Sequence, residues 1–192
     1  MISKWARGWT EKIVTALVRP LHRVGVPPDL LTIMGLVTTL GAAGLLACGH
    51  QRLGGVVIIP ASLFDALDGA LARLGGRDTP YGAFLDSTLD RWAEIALYLG
   101  LLYWYTQRGA RLEIVLIYLT IAGSLMVSYT RARAEGLGIE CKIGLFTRTE
   151  RILTLIAGLL LQLTPWALGI LALFTNLTAV QRLWHVRQET RK

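Results

Sequence analysis

The chain has 192 residues, of which 53% are hydrophobic and 17% are charged, and its mean hydropathy is +0.49. A soluble domain carries about a quarter charged residues, so this composition excludes an ordinary soluble globule; it also excludes a disordered chain, which needs low hydrophobicity. The two cysteines, Cys48 and Cys141, are too few and too far apart to staple a disulfide scaffold. The composition indicates a polytopic membrane protein that forms a single domain over residues 1–192.

A basic amphipathic helix is predicted over residues 2–22. Trp5, Trp9 and Ile13 recur there at helical spacing, and basic residues such as Lys12 lie between them. A basic helix with tryptophans on its apolar face is typical of one that lies in the membrane interface.

Six later segments have the length and apolar character of membrane-spanning helices, which need about 20 residues each. They cover residues 30–48, 53–74, 81–105, 114–134, 152–163 and 165–184. The fifth segment is short, and we expect it to begin in the polar residues that precede it. The predicted fold is an all-α integral membrane protein, with a six-helix bundle within residues 30–187 after the interfacial helix.

The basic residues are divided unequally between the two ends of these helices. With successive connections assigned to opposite sides, sixteen of the twenty Lys and Arg fall on the side of the N-terminus, three fall on the other side, and Arg91 lies inside a span. The positive-inside rule predicts a multi-pass protein of the cytoplasmic membrane with both termini in the cytoplasm. This asymmetry explains the high pI without a nucleic-acid partner, and no nucleic-acid-binding motif is present.

Four aspartates lie inside the second and third segments. Asp65 and Asp68 are three residues apart, and Asp86 and Asp90 are four apart, so each pair shares one face of its helix. A short connection makes the two helices antiparallel neighbours, and we expect the carboxylates to meet near the cytoplasmic end. Carboxylates at membrane depth cost on the order of a few kcal/mol each. A divalent cation would relieve their mutual repulsion, and an all-oxygen site suits Mg²⁺, Mn²⁺ or Ca²⁺.

A structural interpretation of these acids is also available. A single aspartate near a helix end is often solvated or paired with an arginine, here Arg73, Arg77 or Arg91. Four carboxylates at helical spacing on consecutive helices favour the metal site instead. Gly69 and Gly82 either pack against another helix or let a phosphorylated ligand approach the backbone.

Eight residues of this region form one pattern with fixed spacing: Asp65-x2-Asp68-Gly69-x2-Ala72-Arg73-x8-Gly82-x3-Asp86-x3-Asp90. The pattern resembles the complete signature of the CDP-alcohol phosphotransferases, and a signature of this length is specific. The resemblance implies six transmembrane helices after an interfacial one, usually in a homodimer, and a site for two Mg²⁺ or Mn²⁺ ions. It further implies transfer of a phosphatidyl group from a CDP-linked lipid to an alcohol, with release of CMP.

The resemblance also implies roles for individual residues. The four aspartates would hold the metal ions, and Asp90 would in addition be the general base that takes the proton of the acceptor hydroxyl. The residues implied for the CDP-lipid pocket are Pro28, Thr32, Asp65, Gly69, Ala72, Arg73 and Gly82. Pro28 and Thr32 enter because Pro28-x3-Thr32 is similar to the family's nucleotide-contacting motif at the start of the first helix. A proline at a helix start is also ordinary helix chemistry.

A second basic cluster is predicted near the membrane ends of the last three segments. Its members are Arg131, Arg148, Arg151 and Arg182. A positive cytoplasmic rim would explain the more terminal Arg187, Arg191 and Lys192. Arginines that point into the bundle near a metal site instead suit an acceptor that carries a phosphate, which a plain alcohol would not require.

The stretches around these arginines resemble the prokaryotic branch of the family that makes phosphatidylinositol phosphate or archaetidylinositol phosphate, in which the acceptor is inositol 1-phosphate. The matching stretches begin at Arg131, at Arg148 and at Gln181. Thr147 and Arg131 depart from that branch, which commonly has an acidic residue and a lysine there. Inositol 1-phosphate is the favoured acceptor, glycerol 3-phosphate is the alternative, and the donor is CDP-diacylglycerol or a CDP-ether lipid.

A cation transporter or proton-coupled carrier is the alternative from another class, because intramembrane aspartates also serve ion pathways. Such carriers tend to show internal repeats and helices broken at the midplane. This sequence has no visible repeat, and its aspartates cluster toward one end of the helices. The enzyme interpretation is therefore favoured.

Overall fold

The computed structural model describes residues 18–75 and 79–191, and in these residues all regular secondary structure is helical. Six helices follow in chain order: α1 Pro28–Ala47, α2 Gln51–Gly75, α3 Pro80–Gln107, α4 Arg111–Glu135, α5 Arg148–Leu160 and α6 Thr164–Glu189. Each predicted segment corresponds to one of them, which confirms the all-α prediction. Residues 18–23 are helical before α1, while most of the predicted interfacial helix lies outside the described residues.

The fifth segment differs most from its prediction. Its helix begins at Arg148, in the polar residues as expected, and ends at Leu160 rather than at residue 163. Thr147 and Glu150 form a reciprocal capping box at its start, which satisfies backbone N–H groups that have no partner within the helix. Beyond its end, Gln162 has a φ of 59°, a left-handed conformation that a helix cannot continue through.

Four of the helices are long and apolar enough to cross a membrane: α1, α2, α4 and α6. Large apolar side chains are exposed along them, such as Val37 on α1 at 61% and Leu173 on α6 at 57%. Exposed apolar surface of this extent marks contact with lipid or another protein. The chain is thus a multi-pass membrane protein. Helix α3 is long but carries four charged residues between positions 86 and 94, and α5 has only 13 residues.

The described helices belong to two compact units, the first made of Met1–Gly41 and Val57–Glu94 and the second of Ala42–Val56 and Ile95–Lys192. In the first unit, α1 up to Gly41 and α2 from Val57 onward pack through a small apolar core. Its buried residues are Val18, Leu31, Leu67 and Leu71. Because Leu67 and Leu71 face this core, the rotation of α2 is set, and with it the direction of the acidic residues beside them.

In the second unit, α4 and α6 pack closely along their lengths. A Cβ atom added at Gly123 of α4 would lie 2.1 Å from the hydroxyl oxygen of Thr175 of α6, so only glycine permits this approach. The amide nitrogen of Asn176 donates to the carbonyl of Leu119 at 3.0 Å. Small residues and cross-helix hydrogen bonds are the usual means by which membrane helices associate.

The connection between α4 and α5 is bound to one face of α6. The backbone N–H of Phe146 donates to the Thr178 hydroxyl at 3.0 Å, and the Arg182 Nε donates to the carbonyl of Ile143 at 2.9 Å. Between them Gly144 has a φ of +147°, a conformation that L side chains rarely adopt. This face of α6 therefore holds the segment that leads into Arg148.

Candidate active site

Three aspartates of the first unit form a compact acidic cluster. Asp65 and Asp68 of α2 and Asp86 of α3 each offer a carboxylate oxygen, and these oxygens all lie within 4.8 Å of one another. Carboxylates this close repel strongly where water is scarce. A donor set made only of carboxylate oxygens fits a hard divalent cation such as Mg²⁺ or Mn²⁺.

Asp68 is the most deeply placed of the three, with 3% of its surface exposed. Its Oδ1 accepts the backbone N–H of Gly69 at 2.5 Å, and its Oδ2 accepts the hydroxyl of Thr32 at 2.7 Å. A buried carboxylate requires such partners, because burial without them carries a desolvation cost. Both oxygens of Asp68 are thus held in place from outside the acidic cluster.

A cavity of about 310 Å³ adjoins this cluster and is lined by α1, α2 and α3. The lining includes Asp68 and Asp86 and six of the seven residues predicted for the CDP-lipid pocket. These six are Pro28, Thr32, Gly69, Ala72, Arg73 and Gly82. The seventh, Asp65, belongs to the acidic cluster. The volume is at the lower end of the range of ligand sites, which begins at about 300 Å³.

The first turn of α3 forms part of the cavity wall. The Thr79 hydroxyl accepts the backbone N–H of Gly82 at 3.0 Å, in the manner of an N-cap, and Pro80 is the first helical residue. A Cβ at Gly82 would lie 3.1 Å from the Thr79 hydroxyl oxygen and 3.7 Å from a carboxylate oxygen of Asp29. A helix N-terminus carries a partial positive charge that favours phosphate groups.

Asp90 lies one turn beyond Asp86 on α3 and is not one of the three clustered aspartates. Its Oδ2 is 3.9 Å from the Nη1 of Arg91, which also donates to the carbonyl of Ser87. The predicted set of four metal ligands thus divides, in this structure, into three clustered carboxylates and one that is paired with an arginine.

The second unit contains the predicted arginines, and two of them are deeply buried. Arg151 is 2% exposed and Arg182 is 4% exposed. Arg131 forms an exposed ion pair with Glu135 at 2.8 Å. A guanidinium that is buried away from water favours an anionic ligand, and this applies to Arg151 and Arg182.

Residues 26–180 match the sequence model of the CDP-alcohol phosphatidyltransferases. The chain belongs to this family. It is therefore an enzyme, a phosphotransferase of phospholipid synthesis, and the transporter alternative is not supported. The phosphatidyltransferase signature falls within the matched range, on α2 and α3 and around the acidic cluster.

Individual phosphatidyltransferases are similar over nearly the whole chain. The archaetidylinositol phosphate synthase of Methanothermobacter thermautotrophicus is 35% identical over 183 residues, which cover 92% of this chain and 91% of the relative. The crystal structure of the Mycobacterium tuberculosis phosphatidylinositol phosphate synthase with CDP-DAG bound has a TM-score of 0.85 at 33% identity, over 91% of this chain and 94% of that one.

A second crystal structure of the Mycobacterium tuberculosis synthase, in complex with manganese and citrate, is also similar. It has a TM-score of 0.81 at 33% identity and covers 90% of this chain and 88% of that one. The prediction of a divalent-metal cofactor agrees with this relative and with the three clustered carboxylates.

Three lining residues of the phosphatidyltransferase cavity, Asp29, Thr79 and Ala83, were not predicted from the sequence. Asp29 lines the cavity, although its position directly after Pro28 in the first-helix motif could have indicated it. Thr79 also lines it and caps α3, and a threonine directly before Pro80 is a common helix-start signal.

Proposed function

We propose that this enzyme transfers a phosphatidyl group from CDP-diacylglycerol, or the equivalent group of a CDP-ether lipid, to inositol 1-phosphate and releases CMP. The observation that carries the donor half of the proposal is the acidic cluster of Asp65, Asp68 and Asp86 beside a cavity whose walls contain the residues expected for CDP. The relative that was crystallised with CDP-DAG supports the same donor.

The diphosphate of the donor would lie against the first turn of α3, with the side chain of Arg73 opposite its negative charge. Gly69 and Gly82 have no side chain and so leave room for the ligand beside α2 and α3. A Cβ at Gly69 would lie 3.3 Å from the Arg73 guanidinium and would crowd it. Asp65, Asp68 and Asp86 would hold two metal ions, with Asp90 beside the second. When bound, the ions would neutralise the diphosphate and stabilise the leaving CMP.

Asp90 is proposed as the general base. The acceptor hydroxyl would give its proton to this carboxylate while its oxygen forms a bond to the phosphorus of the phosphatidyl group. The bond from that phosphorus to the bridging oxygen would break, and the electron pair would leave with CMP. Because Asp90 stands apart from the three clustered aspartates, it can accept a proton without giving up a place in the cluster.

Arg131, Arg148, Arg151 and Arg182 are proposed to bind the phosphate of the acceptor. The support is the burial of Arg151 and Arg182, together with the names of the relatives, an archaetidylinositol phosphate synthase and a phosphatidylinositol phosphate synthase. Thr147, which departs from the pattern of that branch, caps the helix that begins with Arg148. Thr147 thus has a structural role as the N-cap of α5, although it differs from the acidic residue that is common in that branch.

We further propose the membrane arrangement expected from the sequence. All six helices would cross the cytoplasmic membrane after an interfacial helix within residues 2–22, and both termini and the active site would face the cytoplasm. The chain would act as one catalytic domain in a homodimer. The excess of basic residues on one side and the apolar helices support this topology.

The proposal is tested by CMP release from the purified protein in detergent, with CDP-diacylglycerol and Mg²⁺. Inositol 1-phosphate, glycerol 3-phosphate, free inositol and serine are supplied in parallel, and Asp86→Asn is the inactive control. We expect release with inositol 1-phosphate and little with the uncharged or zwitterionic acceptors. Release with glycerol 3-phosphate alone would overturn the inositol assignment and keep the donor. If no CMP is released from CDP-diacylglycerol with any acceptor, the same acceptors are tested with a CDP-ether lipid. No CMP release from that donor either would overturn the proposal.

A further inference from the structure

Thr32 lies in the second turn of α1, and its hydroxyl points at the acidic cluster. Its Oγ1 is 2.7 Å from Oδ2 of Asp68 and 3.4 Å from the carbonyl oxygen of Pro28. A hydroxyl has one proton to donate, and the short contact to a carboxylate is the stronger of the two. The proton of Thr32 is therefore committed to Asp68.

We propose that Thr32 is a positioning residue for the metal site: it orients the carboxylate of Asp68 for the cation. This inference rests on the proposed function, since it assumes that the acidic cluster binds a metal ion. Asp68 has its Oδ1 held by the Gly69 N–H and its Oδ2 held by Thr32. Each carboxylate oxygen has a further lone pair, so both can still ligate metal.

Because Asp68 is buried, the orientation of its carboxylate should affect the affinity for the metal ion. Asp68 is almost fully buried, and on α2 it lies between Leu67 and Leu71, two buried residues of the unit's core. Without the Thr32 hydroxyl, the Oδ2 atom would lose its partner from α1 and turn more freely about the side-chain bonds. Partners that orient a metal ligand are worth about 10- to 100-fold in metal affinity.

The competing role for Thr32 is direct contact with the nucleotide, as the Pro28-x3-Thr32 motif suggests. Thr32 does line the cavity. A phosphate oxygen, however, only accepts hydrogen bonds, and the proton that Thr32 could give it is engaged by Asp68. The two roles predict different losses on substitution, one in metal affinity and the other in affinity for the CDP-lipid.

The experiment measures Mn²⁺ binding to the purified protein in detergent by electron paramagnetic resonance, in the absence of CDP-lipid. Thr32→Val removes the hydroxyl and keeps the shape of the side chain, and Thr32→Ser keeps the hydroxyl. We expect Thr32→Val to raise the Kd for Mn²⁺ about tenfold or more, and Thr32→Ser to stay near the wild-type value. Thr32→Ala is the second hydroxyl-free variant if Thr32→Val does not fold.

The matched control is Thr38→Val on the same helix. The Thr38 hydroxyl donates to the carbonyl of Met34 at 2.7 Å and serves no carboxylate, so its loss should leave the Kd unchanged. A wild-type Kd in Thr32→Val or Thr32→Ala, with a raised KM for CDP-lipid, would overturn the inference in favour of nucleotide contact. If neither the wild-type protein nor Asp68→Asn binds Mn²⁺, the result contradicts the proposed metal site as well.

Discussion

The guanidinium of Arg182 donates from Nε to the backbone carbonyl of Ile143, with 2.9 Å between the two atoms. Its Nη1 donates to the carbonyl of Val127. One buried side chain of α6 thus joins α4 to the connection that leads into α5. The planar guanidinium can do this because its N–H groups point in several fixed directions, whereas a lysine ammonium is a compact point charge.

Arg182→Lys is therefore expected to destabilise the protein although it keeps the charge. Hydrogen bonds of charged groups contribute about 1.5–3 kcal/mol each, so losing them should lower the thermal midpoint by about 5 °C or more. The KM for inositol 1-phosphate should rise as well. The matched control is Arg187→Lys, an exposed arginine of the same helix, for which neither quantity should change. An unchanged melting curve of Arg182→Lys would show that these hydrogen bonds of Arg182 do not stabilise the protein.

Asp90→Asn should strongly reduce turnover and leave the binding of both the metal and the CDP-lipid nearly unchanged. Removal of a general base typically costs 10²- to 10⁴-fold in rate, so kcat should fall by about that factor. The Kd for Mn²⁺ and the affinity for CDP-lipid should stay within about threefold of wild type if Asp90 acts chiefly as the base. Asp86→Asn is the comparison, because it removes a member of the acidic cluster and should weaken Mn²⁺ binding. A kcat of Asp90→Asn within about tenfold of the wild-type value would exclude Asp90 as the base.

Gly82→Ala should impair use of the donor more than use of the acceptor. The added Cβ would lie 3.1 Å from the Thr79 hydroxyl oxygen, in the wall of the cavity. We expect the KM for CDP-lipid to rise about tenfold, or about 1.4 kcal/mol, and the KM for inositol 1-phosphate to change little. Gly41→Ala is the control, since nothing lies within 4 Å of a Cβ there and alanine is the better helix former. If Gly82→Ala and Gly41→Ala change the KM for CDP-lipid equally, Gly82 is not part of the donor site.

Arg151→Gln should impair use of the phosphorylated acceptor. Arg151 is almost fully buried, in the first turn of α5. Loss of a charged hydrogen bond to phosphate should raise the KM for inositol 1-phosphate by at least about tenfold. The KM for CDP-lipid should change much less. Arg133→Gln, an exposed arginine of α4, is the control. Equal effects of Arg151→Gln on both substrates would exclude it from the acceptor site.

Much of this architecture could be predicted locally. Hydropathy and breaker residues gave six segments whose bounds agree with the helices to within a few residues, because the length of an apolar run and the start of a helix depend on neighbouring residues. The three-residue spacing of Asp65 and Asp68 likewise places them on one face of a helix whatever surrounds it. Their meeting with Asp86 followed from a short connection between two apolar helices.

The contacts between distant residues were decided by the tertiary structure. Thr32 donates to a carboxylate 36 residues away, and Arg182 donates to Ile143, 39 residues away. Such contacts depend on how far each helix is rotated and shifted against its neighbour, and that depends on packing such as the approach of Gly123 to Thr175. The sequence by itself determined which helices form and which acids share a face. The tertiary structure decided that Asp90 stands apart from the acidic cluster and that Thr32 serves Asp68.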